Sequence, residues 1–258
     1  MNAVALHAQS HGTGAPVLLA HAIAYDHRMW TPMLEHFGSQ RQAILADLRG
    51  HGQSPVPPGP YSLEAMADDC AALLDRFGHA RADFVGLSLG GMVGQAFALR
   101  HPDRVNRLVL SNTSSSYGPQ GRGLWEARKK LVRESGMASL HDLMVSRNFS
   151  ESFRLEHPEK IAVAMKPLTA TSVEGYVGCC DAIAELDYTA SLPRIRARTL
   201  VIAGSLDPGT PVAMAEILAA GIPDAKLAVI DGAAHLSAYE KPVEYAALVG
   251  RFLDTPES

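Results

Sequence analysis

Apolar residues along the chain gather in six short runs, at 17–20, 42–46, 83–87, 107–110, 199–203 and 227–230. Each run is mostly apolar, rich in branched side chains and closed by a polar residue or a glycine. That pattern predicts strands buried on both faces of a parallel sheet. Between the runs the spacing changes to that of helices. Leu63, Met66, Ala67, Cys70, Leu73, Leu74 and Phe77 keep a three-four spacing, with Ser62 placed as N-cap and Gly78 as stop. Segments 212–220 and 243–252 repeat the pattern. Strands alternating with amphipathic helices predict a doubly wound, mostly parallel α/β fold.

One stretch interrupts the alternation. From the run ending at Leu110 to the one starting at Thr199 the chain has helical patterns and no good strand. Residues 115–188 are therefore expected to form a helical cap, inserted into a sheet domain made of 1–114 and 189–258.

Composition narrows the picture by exclusion. A chain of 258 residues suits one such domain with an insertion, and 47% hydrophobic against 19% charged residues supports a sizeable core rather than disorder. A net charge of -4 without like-charge blocks gives no nucleic-acid or membrane-surface footprint. The first ten residues lack a basic and then apolar signal pattern, and no window is long and apolar enough to span a bilayer. A cytoplasmic protein is expected. Cys70, Cys179 and Cys180 are odd in number and lack C-x-x-C spacing, which argues for free thiols in a reducing compartment.

The chemistry centres on Gly86-Leu87-Ser88-Leu89-Gly90-Gly91, a G-x-S-x-G motif placed directly after a predicted strand and before a helical run. In that context it reads as a nucleophile elbow, with Ser88 on a sharp turn at a helix N-terminus. A serine hydroxyl needs a base, and His235 follows the last strand. Asp207 follows the strand before it and is the candidate acid; the alternative acid position, after the preceding strand, reads Ser111-Asn112-Thr113-Ser114 and holds no carboxylate. Backbone N–H groups of Leu89 and Ile23 are the expected oxyanion donors. A serine, histidine and aspartate also crowd into Asp47-Leu48-Arg49-Gly50-His51-Gly52-Gln53-Ser54, but triads are assembled from separate elements, and this run is expected to be loop structure. Scattered histidines offer no metal-ligand spacing, and Gly12-Thr13-Gly14 lacks a third glycine, so neither a metal nor another cofactor is expected. An imidazole base predicts an acid limb in kcat/KM with an apparent pKa of roughly 6 to 7.

Taken together, these motifs resemble the α/β-hydrolase family over essentially the whole chain. Within it, Arg28-Met29-Trp30, residues 47–54, 86–91 and 111–113, and the cap segment 174–183 are most similar to the 3-oxoadipate enol-lactonases. The resemblance implies a cofactor-free enzyme that opens a small carboxylated lactone in aromatic-compound degradation. It leaves open a carboxylesterase, another lactonase or a perhydrolase with the same triad, and also a hydrolase-like ligand receptor with slow turnover. Oligomeric state is left open. In the cap, Leu124, Trp125, Arg128, Leu131 and Val132 fall on one helical face with Arg128 its only charge, and Lys129 elsewhere. Arg128 is then the candidate carboxylate binder with Trp125 as the wall beside it, the alternative being that it snorkels at the edge of the stripe or pairs with a cap acid such as Glu174.

Overall fold

In the computed structural model, which describes residues 3–37 and 40–255, seven strands form one sheet in the order β1-β3-β2-β4-β5-β6-β7. They are β1 (Ala8–His11), β2 (Ala15–Ala20), β3 (Arg41–Ala46), β4 (Ala82–Leu87), β5 (Val105–Ser111), β6 (Arg198–Gly204) and β7 (Lys226–Ile230). All pairings are parallel except that of β1 with β3. The helices are α1 (Thr31–Phe37), α2 (Leu63–Arg76), α3 (Leu89–Arg100), α4 (Gly121–Ser135), α5 (His141–Asn148), α6 (Glu151–Glu156), α7 (Pro158–Ala164), α8 (Lys166–Ala170), α9 (Val173–Ala184), α10 (Val212–Gly221), α11 (Ser237–Glu240) and α12 (Pro242–Asp254).

The six apolar runs all become strands, lengthened by a residue or two at their ends. Two departures have physical causes. The apolar pattern does not announce β1: its sequence Ala-Gln-Ser-His is polar and largely exposed at the sheet edge. The pattern places β7 among strands buried on both faces, yet it is the opposite edge strand, with Leu227 and Val229 exposed. An apolar run announces a strand but not its rank in the sheet. The innermost strand, β4, is buried at every position. α3 lies over β2, β4 and β5, and α10 over β6 and β7.

α2 illustrates how local signals set an element. The Ser62 hydroxyl accepts the Ala65 N–H at 3.1 Å, and Gly78 stops the helix with φ +77°, a conformation that suits glycine. Cys70 is buried on its apolar face, and all three cysteines are free.

Between β5 and β6 the chain forms only helices, α4 to α9. Ser116 and Asp187 pair as an isolated bridge, and the Tyr188 N–H donates to Ser115 C=O at 2.8 Å, so the entry and exit of this segment lie together. One of its contacts with the rest of the chain is α9 against the 47–54 loop. A Cβ on Gly175 would stand 2.3 Å from the Gly50 carbonyl oxygen, and one on Gly50 would stand 2.8 Å from Gly175 Cα. Only glycine at both positions lets two backbones touch this closely. Among the described residues, no helix is long and apolar enough to cross a membrane.

Candidate active site

β4 delivers Ser88 between the two central neighbours β2 and β5, and α3 begins at the next residue. Ser88 sits at φ 57°, ψ -114°, a region costly for any residue with a side chain. The flanking glycines make the turn possible: a Cβ on Gly86 would lie 2.2 Å from Gly90 O, and one on Gly90 would lie 2.0 Å from Ala20 O. β5 holds the turn from the other side. The Ser88 N–H donates to Ser111 C=O at 2.9 Å, and the Thr113 hydroxyl donates to Ser88 C=O at 2.8 Å.

Loops after β7 and β6 bring His235 and Asp207 to the same place. His235 Nε2 is 2.9 Å from Ser88 Oγ, and His235 Nδ1 is 2.7 Å from Asp207 Oδ2. All three residues are buried. A carboxylate only accepts, so His235 carries its proton on Nδ1 and turns a free lone pair on Nε2 toward the serine hydroxyl. Burial alone would raise the Asp207 carboxyl; His235, the Thr210 hydroxyl and the Asn112 amide outweigh it and hold the group well below the usual carboxylate range. Burial pushes the His235 imidazole down, opposed by Asp207 and reinforced by the charges of Arg147 and Arg128.

Two of these partners carry no signal in the sequence. The Thr210 hydroxyl and the Asn112 amide donate to Asp207 Oδ2 at 2.6 and 3.0 Å, while the backbone N–H groups of Gly209 and Thr210 donate to Oδ1 at 2.8 and 3.1 Å. Asn112 stands at the alternative acid position after β5. That position holds Asp207 through an amide rather than supplying a carboxylate of its own. Glu240, equally silent in the sequence, is a buried carboxylate that accepts the Ala234 N–H at 3.0 Å and both the N–H and hydroxyl of Ser150. It ties the His235 loop to the start of α6.

Ile23 lies in the loop after β2, and Leu89 is the first residue of α3. Ala22, Ala24 and Tyr25 N–H groups are each taken, by Met29 Sδ at 3.3 Å, His51 Nε2 at 2.9 Å and Ala22 O at 3.2 Å. Among the described residues the N–H groups of Ile23 and Leu89 have no such acceptor, and both flank Ser88's end of the sheet. The first turn of a helix supplies such free donors by construction.

Trp125 and Arg128 are both buried on α4, with the guanidinium carbon 4.8 Å from the indole centroid. They line a cavity of about 340 Å³ with Tyr117, Leu143, Arg147 and the Pro208-Gly209 turn that follows Asp207. Arg128 Nε and Nη1 are buried without a hydrogen-bond partner, and among the described residues no carboxylate, Glu174 included, lies within ion-pair reach of Arg128. The face of α4 differs from the expected one. Leu124 and Leu131 are exposed, and Lys129 is buried, because Asp181 of α9 meets its ammonium at 2.6 Å. Helical spacing cannot reveal a partner on another helix. Arg147 escapes a sequence reading for the same reason, since its helix α5 shows no clean stripe.

The fold also gathers a group that the scattered spacing conceals. His7, His27 and Asp47 place their ligand atoms within 4.8 Å of one another. Both imidazole Nδ1 atoms bond Asp47, at 2.9 and 2.8 Å, and the His27 and Gln53 N–H groups complete its coordination at 2.8 and 2.9 Å. Each carboxylate oxygen is thus already engaged twice, which makes the group a tie for the 47–54 loop.

A parallel sheet with a serine at the strand–turn–helix elbow and a histidine and acid on later loops defines an α/β hydrolase. A family model described as the alpha/beta hydrolase fold matches residues 15–242, and the chain belongs to that family. It is 36% identical over 226 residues to 3-oxoadipate enol-lactonase 2 of Acinetobacter baylyi, covering 88% of this chain and 84% of that protein. Among solved structures, the enol-lactonase from Burkholderia xenovorans superposes with a TM-score of 0.93 at 32% identity, covering 97% of this chain and 96% of that one. A thermophilic esterase from Thermogutta terrifontis superposes with a TM-score of 0.91 at 33% identity, covering 96% and 92%.

Proposed function

We propose that this ester- or lactone-directed hydrolase opens a small carboxylated lactone through an acyl-enzyme on Ser88, with residues 115–188 as the cap over the site. The observation that carries this reading is the buried hydrogen-bonded chain Ser88–His235–Asp207, beside a cavity lined by an unpaired arginine. The kinship with enol-lactonases supports the choice of substrate.

In this reading Ser88 Oγ attacks the lactone carbonyl carbon while its proton passes to His235 Nε2. The carbonyl oxygen takes the electron pair and receives the N–H groups of Ile23 and Leu89. Collapse reforms the carbonyl and breaks the ring carbon–oxygen bond, and the departing enol oxygen takes the proton from His235. The enol then becomes a ketone, which prevents ring closure. Water, losing a proton to His235, attacks the ester on Ser88; collapse breaks the bond from the carbonyl carbon to Oγ, Ser88 takes the proton back from His235, and the acid is released.

Arg128 would hold the substrate carboxylate, its planar fork suited to two parallel hydrogen bonds, with Trp125 stacked behind it. Arg128→Met, assayed on a carboxylated lactone and its uncharged analogue, is expected to lower kcat/KM by about 2 kcal/mol or more for the acid only, as for a lost charge-assisted hydrogen bond. Equal losses on both substrates would make Arg128 a support for the cap. They would favour a simple-ester substrate, the reading that the likeness to the Thermogutta esterase supports.

The pH dependence follows from the base. His235 must be neutral to accept the serine proton, so kcat/KM is full above its pKa and falls as pH drops through it. Burial, together with Arg147 and Arg128, sets that pKa below the usual imidazole value. The acid limb is therefore expected below about 6.5, the value of an unperturbed imidazole, and so under the upper half of the range read from the sequence. An acid limb above about 7, or none at all, in a kcat/KM profile would remove His235 as the base.

A further inference from the structure

The run at 47–54 mimics a triad in sequence and contributes nothing to Ser88, His235 or Asp207, yet it is largely buried against the loop that carries Ile23. The contact is reciprocal. His51, from the 47–54 loop, accepts the Ala24 N–H on Nε2 at 2.9 Å. His21, at the end of β2, accepts the Leu48 N–H on Nε2 at 2.9 Å. A neutral imidazole that accepts on Nε2 donates from Nδ1. His21 Nδ1 accordingly donates to Ala22 C=O at 2.8 Å, and His51 Nδ1 to Arg49 C=O at 3.2 Å.

These bonds act on the two peptide planes that flank the Ile23 Cα. Peptide planarity makes the Ala22 carbonyl and the Ile23 N–H point in opposite directions within one plane. His21 holds the Ala22 oxygen at 2.8 Å, together with the longer bond from the Tyr25 N–H at 3.2 Å, and so helps to set where the Ile23 N–H points. The next plane holds the Ile23 carbonyl and the Ala24 N–H, and His51 holds that one. Ala24 sits at φ +64°, a left-handed conformation unfavourable for alanine, so the loop needs an external tie to keep it. Rotation of either plane would withdraw the donor or turn a carbonyl toward the developing oxyanion.

We infer that His51, together with His21, is a positioning residue that locks the Ile23 N–H in place as an oxyanion donor. This inference rests on the acyl-transfer reading above. Both rings are buried, 5.2 Å apart and edge to face. Burial pushes both imidazoles down, His51 to about 3 with His21 adding to the effect, so each stays neutral and keeps its accepting lone pair at working pH. α9 closes over the same ring, with Cys179 Sγ 3.9 Å from His51 Nδ1, which leaves the imidazole little room to turn.

The test uses the full-length enzyme, an aryl acetate as substrate, and a trifluoromethyl ketone with its methyl ketone as a probe pair. Ser88 adds to the fluorinated ketone to give a tetrahedral oxyanion, whereas the methyl ketone binds as an unreacted ground-state analogue. His51→Leu is expected to lower kcat by about 100-fold or more with KM nearly unchanged, the signature of a lost oxyanion donor. Affinity for the trifluoromethyl ketone should fall by the same factor and that for the methyl ketone should hold. His21→Leu should behave alike. His51→Gln, whose Oε1 can take the place of Nε2, should recover most of the activity, and the shorter His51→Asn should not. If His51→Leu fails to fold, the Gln and Asn variants carry the comparison. The inference is overturned if His51→Leu keeps kcat, if both ketones weaken equally, or if Asn rescues as well as Gln. A wild-type enzyme indifferent to the trifluoromethyl ketone would overturn the acyl-transfer reading as well, which separates the two failures.

Discussion

Replacing Ser88 by alanine is expected to reduce kcat on esters and lactones by at least about 10⁴-fold, in line with nucleophile deletions in other serine hydrolases. The protein should remain folded. Ser88 Oγ makes one hydrogen bond, to His235 Nε2, and the strained backbone at φ 57° is the same for serine and alanine. A single hydrogen bond is worth about 1 kcal/mol, so Tm should move by no more than about 4 °C in a chain of this size. The residual rate should not rise with added general base, since the missing atom is the one that bonds to carbon. An arylphosphonate should label the wild type at one equivalent and leave the variant untouched. Retention of more than about a hundredth of the wild-type kcat would remove Ser88 as nucleophile, since loss of such a group costs far more. Turnover by the wild type beyond one equivalent of product separates an enzyme from a slow-turnover receptor on the same fold.

The second large effect is expected at Asp207, where asparagine should lower kcat by about 10⁴-fold with little change in KM. The surroundings dictate how the new amide would sit. Oδ1 accepts two backbone N–H groups, from Gly209 and Thr210, which cannot turn away. The oxygen of the introduced amide would take that place, leaving its NH2 to face His235. A donor there forces His235 to carry its proton on Nε2, and the Ser88 hydroxyl loses its acceptor. Thr210 can rotate its hydroxyl to accept, whereas the Asn112 amide is held by the Ala234 carbonyl at 3.3 Å and the Ser237 hydroxyl at 2.5 Å, so the exchange should cost some stability while the chain stays folded. Asp231→Asn serves as the control: its carboxylate is exposed and receives the Ser205 hydroxyl at 3.1 Å. If Asp207→Asn kept a near-normal kcat, the acid would have to be sought elsewhere.

How far the chain can be read before folding depends on the range of each signal. The central strands are legible because a run buried on both faces must be apolar throughout, and α2 because its stripe, Ser62 and Gly78 lie within one short segment. The elbow is legible for a similar reason. Gly86, Ser88 and Gly90 are neighbours, and their size is demanded by contacts as close as 2.0 Å. Chain order then singles out His235 and Asp207 as the residues brought to 2.9 and 2.7 Å contacts with Ser88 and with each other.

Beyond reach are the partners that only a folded chain brings together. Asn112 and Asp207 are 95 positions apart, Lys129 and Asp181 are 52 apart, and no periodicity connects either pair. The exposure of β7 depends on its place at the edge, and β1 on pairing with a strand that follows it in sequence. The 47–54 loop shows the division most plainly. Its sequence displays a serine, a histidine and an aspartate, but their roles come from the backbone groups they meet across the molecule. By itself, then, the sequence determined the layered α/β architecture, the glycine-flanked elbow and the order of candidate residues, because those are properties of consecutive side chains. The tertiary structure alone decided which polar groups hold Asp207, which arginines share the cavity, and which histidines clamp the planes around Ile23. Those depend on hydrogen bonds between distant segments, whose directions exist only once the backbone is folded.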